Sequence, residues 1–172
     1  MTRPMIEVHD QAVLAAFHQL QAAGADMTPA GRAIGERLTE STKRRFETST
    51  GPDGVRWAPN SRATYEALAR NTRGAFRKGD GKLGAKGATV VMGKKPLIGE
   101  SKRLSTEINY HADAAAVTIG SPMEYAAMQQ FGGSKAAFPN LWGDIPARPF
   151  LGLSAEDRDD ILEILQSHLL GT

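Results

Sequence analysis

Two prolines placed around a single arginine are the strongest constraint that this sequence puts on its own fold. Pro146 precedes Arg148 by two residues, and Pro149 follows it directly, in front of the apolar pair Phe150-Leu151. Proline fixes its own φ, lacks a backbone N–H and biases the preceding residue toward extended conformations. This segment is therefore predicted to be extended and anchored, with Phe150 or Leu151 buried under the C-terminal helix.

Length and composition favour one domain over residues 1–172. A chain of this size buries roughly 70% of its unfolded surface. Without cysteine it has no disulfide framework, thiolate metal site or thiol nucleophile. Its longest purely apolar run, Ala12 to Phe17, is far shorter than the ~20 residues that span a bilayer. No apolar segment follows Arg3 as in a secretory signal, so we expect synthesis in the cytoplasm and no membrane contact.

Helices are predicted for most of the N-terminal half and for the C-terminus, because apolar residues recur there at helical spacing. The candidate N-caps are Asp10, Thr28 (with Pro29 as first helical residue), Asn60 or Ser61, and Ser154, which opens a capping box with Asp157. In the last helix Ile161, Leu165 and Leu169 share one face, and Gly171 is the expected stop.

A small antiparallel sheet is predicted between these helical regions. Arg103–Tyr110 and Ala115–Gly120 are expected to form a hairpin around the turn 111–114, and Ala147–Leu153 a further strand. The predicted fold class is α+β, with a helical N-terminal half, a small antiparallel β-sheet and a C-terminal helix packed on the sheet.

A glycine-rich, basic segment around residues 74–99 is predicted to be a long loop or an extended arm, with one short β-prone run, Thr89–Met92. Residues 62–103 carry eleven Lys or Arg against three Asp or Glu, a net charge of +8, and residues 104–172 carry three against nine, a net charge of −6. Unlike patches of this kind steer assembly, although charge runs are commonly only solvated loops. The candidate interaction residues of this region are Arg70, Arg73, Arg77, Lys78, Lys82, Lys86, Lys94 and Lys95.

No motif of this chain predicts catalysis, a cofactor or a metal site. Residues 79–84 fit G-x-G-x-x-G literally, but no apolar strand precedes them, as a dinucleotide site requires. The four histidines lack ligand spacing. The acidic residues that open the last helix are explained by the helix dipole. We therefore predict a protein that is not an enzyme.

Several residues have both a structural and an interaction reading. Trp57, Tyr125 and Phe131 are predicted to be structural anchors, as are Phe150 and Leu151. Phe138 and Trp142 lie in an insert, residues 134–142, that forms either a satellite core or a partner-binding tip. Arg148 makes either a bidentate salt bridge that fixes the extended segment or a contact between subunits.

Four blocks, in order, resemble the phage virion morphogenesis (tail completion) family, which includes the Mu-type and P2-type tail completion proteins. They are Phe46 with the tryptophan block at residues 52–59, the segment 95–98 with Leu104 and Ile108, Val117–Gly120 with Tyr125-Ala126, and the proline segment 146–152. Together they cover about two-thirds of the chain, from Phe46 to Asp157.

The resemblance implies a non-enzymatic structural protein of phage assembly. In this family we expect a homo-oligomeric ring, with a hexamer as the leading expectation, at the neck or head-proximal tail end of the virion. Its partners are then its own copies and adjacent neck or tail proteins, with DNA in the lumen as a further candidate. The alternative, motivated by the basic segment, is a nucleic-acid-binding module, although only Tyr65 and Phe76 interleave those charges.

Overall fold

The computed structural model of the protein describes residues 10–22, 26–113, 116–141 and 143–170. Within those ranges the chain forms helices and one two-stranded antiparallel sheet. In chain order the elements are α1 (Gln11–Ala22), α2 (Thr28–Thr48), α3 (Arg62–Asn71), α4 (Ala85–Met92), α5 (Arg103–Thr106), β1 (Asn109–Ala112), β2 (Val117–Gly120), α6 (Ala126–Phe131) and α7 (Ala155–Leu170). The predicted α+β class is confirmed.

Helix α2 is the element on which the sheet and the C-terminal helix pack. Its N-terminus lies one residue earlier than predicted, because the backbone N–H of Thr28 already donates to Asp26 Oδ1 at 3.0 Å and Thr28 is itself helical. The buried face of α2 carries Ala30, Ile34 and Leu38 at the predicted helical spacing. Helix α7 and both strands pack against α2, and α7 also contacts α1.

The C-terminal helix begins at the predicted capping box. Ser154 Oγ accepts from the backbone N–H of Asp157 at 3.1 Å, and the Asp157 carboxylate accepts from the N–H of Ser154 at 2.8 Å. Ile161 and Leu165 are buried together with the α2 stripe, and Val117 and Ile119 of β2 pack against the same cluster. The side chain of Leu169 and the predicted stop at Gly171 lie outside the described residues.

The predicted hairpin is confirmed, with shorter strands and a shifted turn. Asn109 pairs with Gly120 and Ala112 with Val117. His111, expected in the turn, pairs instead with Thr118. The expected start of the first strand, Arg103–Thr106, is the short helix α5, whose Arg103 side chain holds Glu107 one turn later at 2.6 Å.

The glycine-rich segment is neither a structureless loop nor an extended arm. Phe76 and Leu83 pair in a tight hairpin, and the chain then enters α4, which packs on α3. The β-prone run Thr89–Met92 is the end of that helix, so the strand reading is wrong. Strand propensity mostly reports packing on a pleated surface, and here the neighbouring surface is the helix α3. We call residues 62–93 the basic arm.

Two glycines of α2 let the sheet lie directly on this helix. A methyl group at Gly35 would come within 2.2 Å of the Tyr110 ring. A methyl group at Gly31 would meet Ala112 and Val117 at 3.4 and 3.5 Å, which is ordinary van der Waals contact. The close approach of β1 to α2 therefore requires glycine at position 35 but not at position 31.

Gly35→Ala is expected to destabilise the protein, whereas Gly31→Ala is expected to be neutral or stabilising. Alanine gains about 1 kcal/mol over glycine inside a helix at either position. At position 35 the clash with Tyr110 costs about 1–3 kcal/mol, as for other overpacked sites, and outweighs that gain. Urea unfolding of both variants measures the difference, and equal midpoints would show that the sheet does not press on α2 at Gly35.

Candidate functional site

The proline-bracketed segment, residues 146–153, is extended but belongs to no sheet, so the predicted strand Ala147–Leu153 is absent. Phe150 is fully buried and Leu151 is 3% exposed. Both belong to the cluster around Phe46 and Trp57, with the Phe46 and Phe150 rings 5.3 Å apart. They are therefore buried against α2 and against residues 52–59, which we call the tryptophan loop, and not under the C-terminal helix as expected.

Side chains satisfy the backbone of this segment in place of a neighbouring strand. The buried Gln130 accepts from the N–H groups of Phe150 and Leu151 at 2.9 and 3.0 Å and donates to the Leu151 carbonyl at 3.0 Å. The Trp57 indole N–H donates to the Pro149 carbonyl at 2.8 Å. Buried backbone groups must find partners, and these amide and indole groups provide them without a β-ladder.

Arg45 joins this segment to two helices. It is 5% exposed on α2, and its guanidinium donates to the carbonyls of Phe150 and Gly152, each at 2.9 Å. The same guanidinium donates to the carboxylate of Asp157, which is 1% exposed in the first turn of α7. The pair therefore fixes α2, the proline-bracketed segment and α7 relative to one another.

Both members of this pair are charged, against the cost of burial. Burial alone would raise the pKa of Asp157, but hydrogen bonds from Ser41 and Ser154 and the charge of Arg45 outweigh it, so the pKa lies below its usual value. Burial lowers the pKa of Arg45, and Asp157 partly offsets this. Arginine remains protonated in proteins even so. The carboxylate is thus ionised at neutral pH.

Among the described residues Arg148 bonds to two backbone carbonyls and makes no bidentate salt bridge, and its contact between subunits stays a prediction. Its Nε donates to the Ala58 carbonyl at 2.8 Å and its terminal nitrogen to the Pro59 carbonyl at 2.7 Å. Burial lowers its pKa, with a smaller opposing effect from Tyr65. Arg148 therefore holds the proline-bracketed segment against the tryptophan loop by binding two backbone carbonyls of that loop. These carbonyls take no part in a β-ladder between the two segments.

The predicted aromatic anchors divide into buried and exposed residues. Trp57 is 7% exposed and lies edge-on to Phe46. Tyr125 and Phe131 are 46% and 61% exposed, so the anchoring role assigned to them is wrong. The short helix α6 turns Ala126 and Gln130 inward, and this places its neighbours in the sequence outward. In the insert, Phe138 is half exposed, and Trp142 lies outside the described residues.

The candidate interaction cations fall into two groups. Lys94 and Lys95 lie at the base of the basic arm, where their ammonium groups donate to the carbonyls of Ile98 and Glu47. The others lie on the arm itself, where Arg77 pairs with Asp80 at 3.4 Å and Lys86 donates to the Arg73 carbonyl. No partner among the described residues engages the side chains of Arg70, Arg73, Lys78 and Lys82.

The acidic start of α7 also has partners on α2, which the helix dipole alone does not account for. Asp160 holds Arg37 at 2.6 Å, and Glu156 lies 3.7 Å from Arg37 and 3.9 Å from Arg44. Asp159 and Glu163 are exposed on the outer side of the helix. The carboxylates on the side of α7 that faces α2 are therefore paired with arginines, whereas Asp159 and Glu163 on the other side have no partner among the described residues.

An open groove of about 470 Å³ runs beside the proline-bracketed segment. Its lining includes Ser61, Lys94, Ile98, Arg103, Tyr125 and Arg148. In the described ranges no group of three or more His, Cys, Asp or Glu side chains could hold a metal ion. Within the same ranges no helix is both long and apolar enough to span a membrane.

Arg45 and Asp157 are not predicted as a pair from the sequence, although the sequence contains a signal for each of them. Leu38, Thr42 and Arg45 recur at helical spacing on the buried face of α2, and a charge within a buried stripe requires a partner. The partner stands at the capping-box position where Asp157 replaces the usual Glu or Gln. Nothing local marks Gln130, because its role depends on a segment that lies some 20 residues further along the chain.

Comparison with known proteins gives a family match over nearly the whole chain. A model of the phage virion morphogenesis family matches residues 8–170. Mu-like prophage FluMu G protein 2 of Haemophilus influenzae is 36% identical over 73 residues, which cover 42% of this chain and 51% of that protein. The match thus spans about half the length of this relative. No solved structure gives a significant match.

Asp157→Asn is expected to cost about 3–5 kcal/mol of unfolding free energy, because it leaves the buried Arg45 without a counter-charge. Asp160→Asn is the matched control on the same helix, and its more exposed partner Arg37 makes the loss much smaller than that of Asp157→Asn. Chemical denaturation at pH 7 compares the two variants.

The same pair predicts a pH dependence. The pKa of Asp157 in the folded protein lies below its value in the unfolded chain. Its contribution to stability is therefore fully present above the unfolded pKa and is lost as pH falls through the folded pKa. The parent is therefore expected to lose stability more steeply on acidification below about pH 4 than Asp157→Asn does. Parallel acid profiles, or equal losses in the two variants at pH 7, would contradict the assigned role of the pair.

Proposed function

This chain belongs to the phage virion morphogenesis family, and on that premise we propose that it is a non-enzymatic structural protein that closes into a homo-oligomeric ring, with six copies as the leading expectation. The ring lies at the neck or the head-proximal end of the tail, where it completes the tail or joins it to the head. It assembles in the host cytoplasm and becomes part of the virion. Its partners are its own copies and the adjacent neck or tail proteins.

The family match across residues 8–170 is the observation that carries the proposal. A relative named as a Mu-like prophage protein agrees with a role in phage morphogenesis. Ring closure is supported by the surface of the chain, which presents a basic arm and an acidic helix face in different places. Unlike surfaces on one molecule favour heterologous contacts, and such contacts form rings where the rotation closes.

The buried polar groups of this chain support a structural role. Arg45, Asp157, Gln130 and Arg148 direct their hydrogen bonds at backbone groups and at one another. A catalytic group needs a polar atom directed at a substrate, with a shifted pKa that suits proton transfer. These four side chains instead hold an extended segment in place.

A nucleic-acid-binding module is the second candidate function, because the basic arm carries cations without partners. Four such side chains lie between Arg70 and Lys82. A ring at the neck also surrounds or adjoins DNA, so the two functions are compatible in position. The two functions can be distinguished by experiment, because affinity for DNA that depends on phosphate contacts falls steeply as the salt concentration rises.

Native mass spectrometry of the full-length protein over a range of concentrations tests the ring. We expect a closed oligomer, with six copies as the main species, and density for a ring of the same copy number at the neck or tail end of the virion. The control is the same measurement at high salt, where contacts between unlike charges weaken. A monomer in solution together with the absence of the protein from the virion would contradict the proposal.

A further inference from the structure

The basic arm ends in a tip, residues 70–84, that points away from its attachment to the body. Asn60, directly before α3, donates to the carbonyl of Lys94, just beyond α4, at 3.3 Å, so the start of one helix and the end of the other lie together at the base. The opposite end carries the four cations without partners. It also exposes two apolar side chains, Phe76 at 44% and Leu83 at 39%.

The tip is held in shape by its own packing. Ala75 is fully buried, and the N–H of Gly84 donates to its carbonyl at 2.8 Å. A methyl group at Gly87 of α4 would lie 2.4 Å from the same carbonyl, so α4 can approach only through glycine. The cations and the apolar pair are therefore displayed on a folded hairpin and not on a flexible chain.

The outer side of α7 has the complementary pattern, and we call it the acidic face. Asp159 and Glu163 lie four residues apart and are exposed, and Leu162 lies beside them, partly exposed. The neighbouring cation Arg158 is paired with Asp10. Asp159 and Glu163 have no partner among the described residues. The acidic face thus has two unpaired carboxylates beside a partly exposed leucine, and the tip has an exposed apolar pair with unpaired cations.

In the described part of the chain no ion pair or hydrogen bond joins the tip to Asp159 or Glu163 of the same chain. We propose that the tip of the basic arm docks on the acidic face of α7 in a second copy of this chain. This contact rests on the proposed ring and identifies the surfaces that would form it. Because the two surfaces differ, the contact is heterologous and leaves one tip and one acidic face free for further copies.

A second copy fits the tip better than a DNA backbone does. Phosphates would match the cations but would leave Phe76 and Leu83 in water, whereas Leu162 of the acidic face gives them an apolar partner. Protein interfaces combine apolar and charged side chains, and both surfaces offer side chains of the two kinds. Opposite charges across the rim also fix which surfaces meet, since two tips or two acidic faces repel each other.

A charge exchange between two variants tests the contact directly. The tip variant carries Arg70→Glu, Arg73→Glu, Lys78→Glu and Lys82→Glu, and the face variant carries Asp159→Lys and Glu163→Lys. Each variant alone then has like charges on both surfaces and should self-associate at least about tenfold more weakly than the parent. Mixed together, they should assemble again, because each tip again meets a face of opposite charge.

Native mass spectrometry of the mixture reads out the arrangement as well as the assembly. Every restored contact joins one variant to the other, so a closed ring must contain equal numbers of both. The control reverses four exposed cations elsewhere, Arg32, Lys43, Arg56 and Lys135, which gives the same change in net charge as the tip variant. This control should assemble like the parent, and circular dichroism checks that each variant is folded.

Other results separate the two proposals. If the parent assembles and the tip variant assembles equally well, the contact is wrong and the ring stands. A parent that stays monomeric at every concentration overturns the contact, and if it is also absent from the virion both proposals are overturned. Failure of the mixture to recover also overturns the contact. If a 30-base-pair duplex binds the parent tightly and with steep salt dependence, and the tip variant loses that binding while still assembling, the tip is a DNA surface.

Discussion

The buried pair of Arg45 and Asp157 is the interaction on which the rest of the structure depends. Removing a guanidinium and a carboxylate from water is expensive, and their mutual attraction offsets this only where the remaining hydrogen bonds are also made. Here the carbonyls of Phe150 and Gly152 accept from the same guanidinium, and Ser154 donates to the same carboxylate. The charge pair is thus satisfied only when α2, the proline-bracketed segment and α7 are all in place.

This requirement explains how two hydrophobic clusters are held together although the sheet of the described residues has only two strands. The segment that Arg45 holds places Phe150 on Phe46 and Trp57, and α7, held from the other side, places Ile161 and Leu165 on the apolar stripe of α2. Two surfaces take no part in this packing, the tip of the basic arm and the acidic face of α7. Those two surfaces carry unpaired charges of opposite sign.

Local sequence signals predicted the elements whose causes are local. The cap at Ser61, the capping box at Ser154 and the apolar stripe of α2 were all readable, as was the hairpin of β1 and β2. The errors arose where distant residues decide. Thr89–Met92 is helical because α3 supplies a helix to pack on, and the segment around Phe150 is not a strand because Gln130, Trp57 and Arg45 take its hydrogen bonds. The family resemblance is carried by the order and spacing of its blocks along the chain, and spacing does not reveal the role of Gln130, whose partners lie some 20 residues further on.

The central claim is that an extended segment outside any sheet is as firmly held as the helices around it. Native-state hydrogen exchange at the amides of Phe150 and Leu151, which donate to Gln130, measures this directly. The account predicts that both amides exchange only through global unfolding, with the same opening free energy as the buried amides in the middle of α2. Exchange by local opening, several orders of magnitude faster than in α2, would show that the segment is loosely placed and would contradict the account.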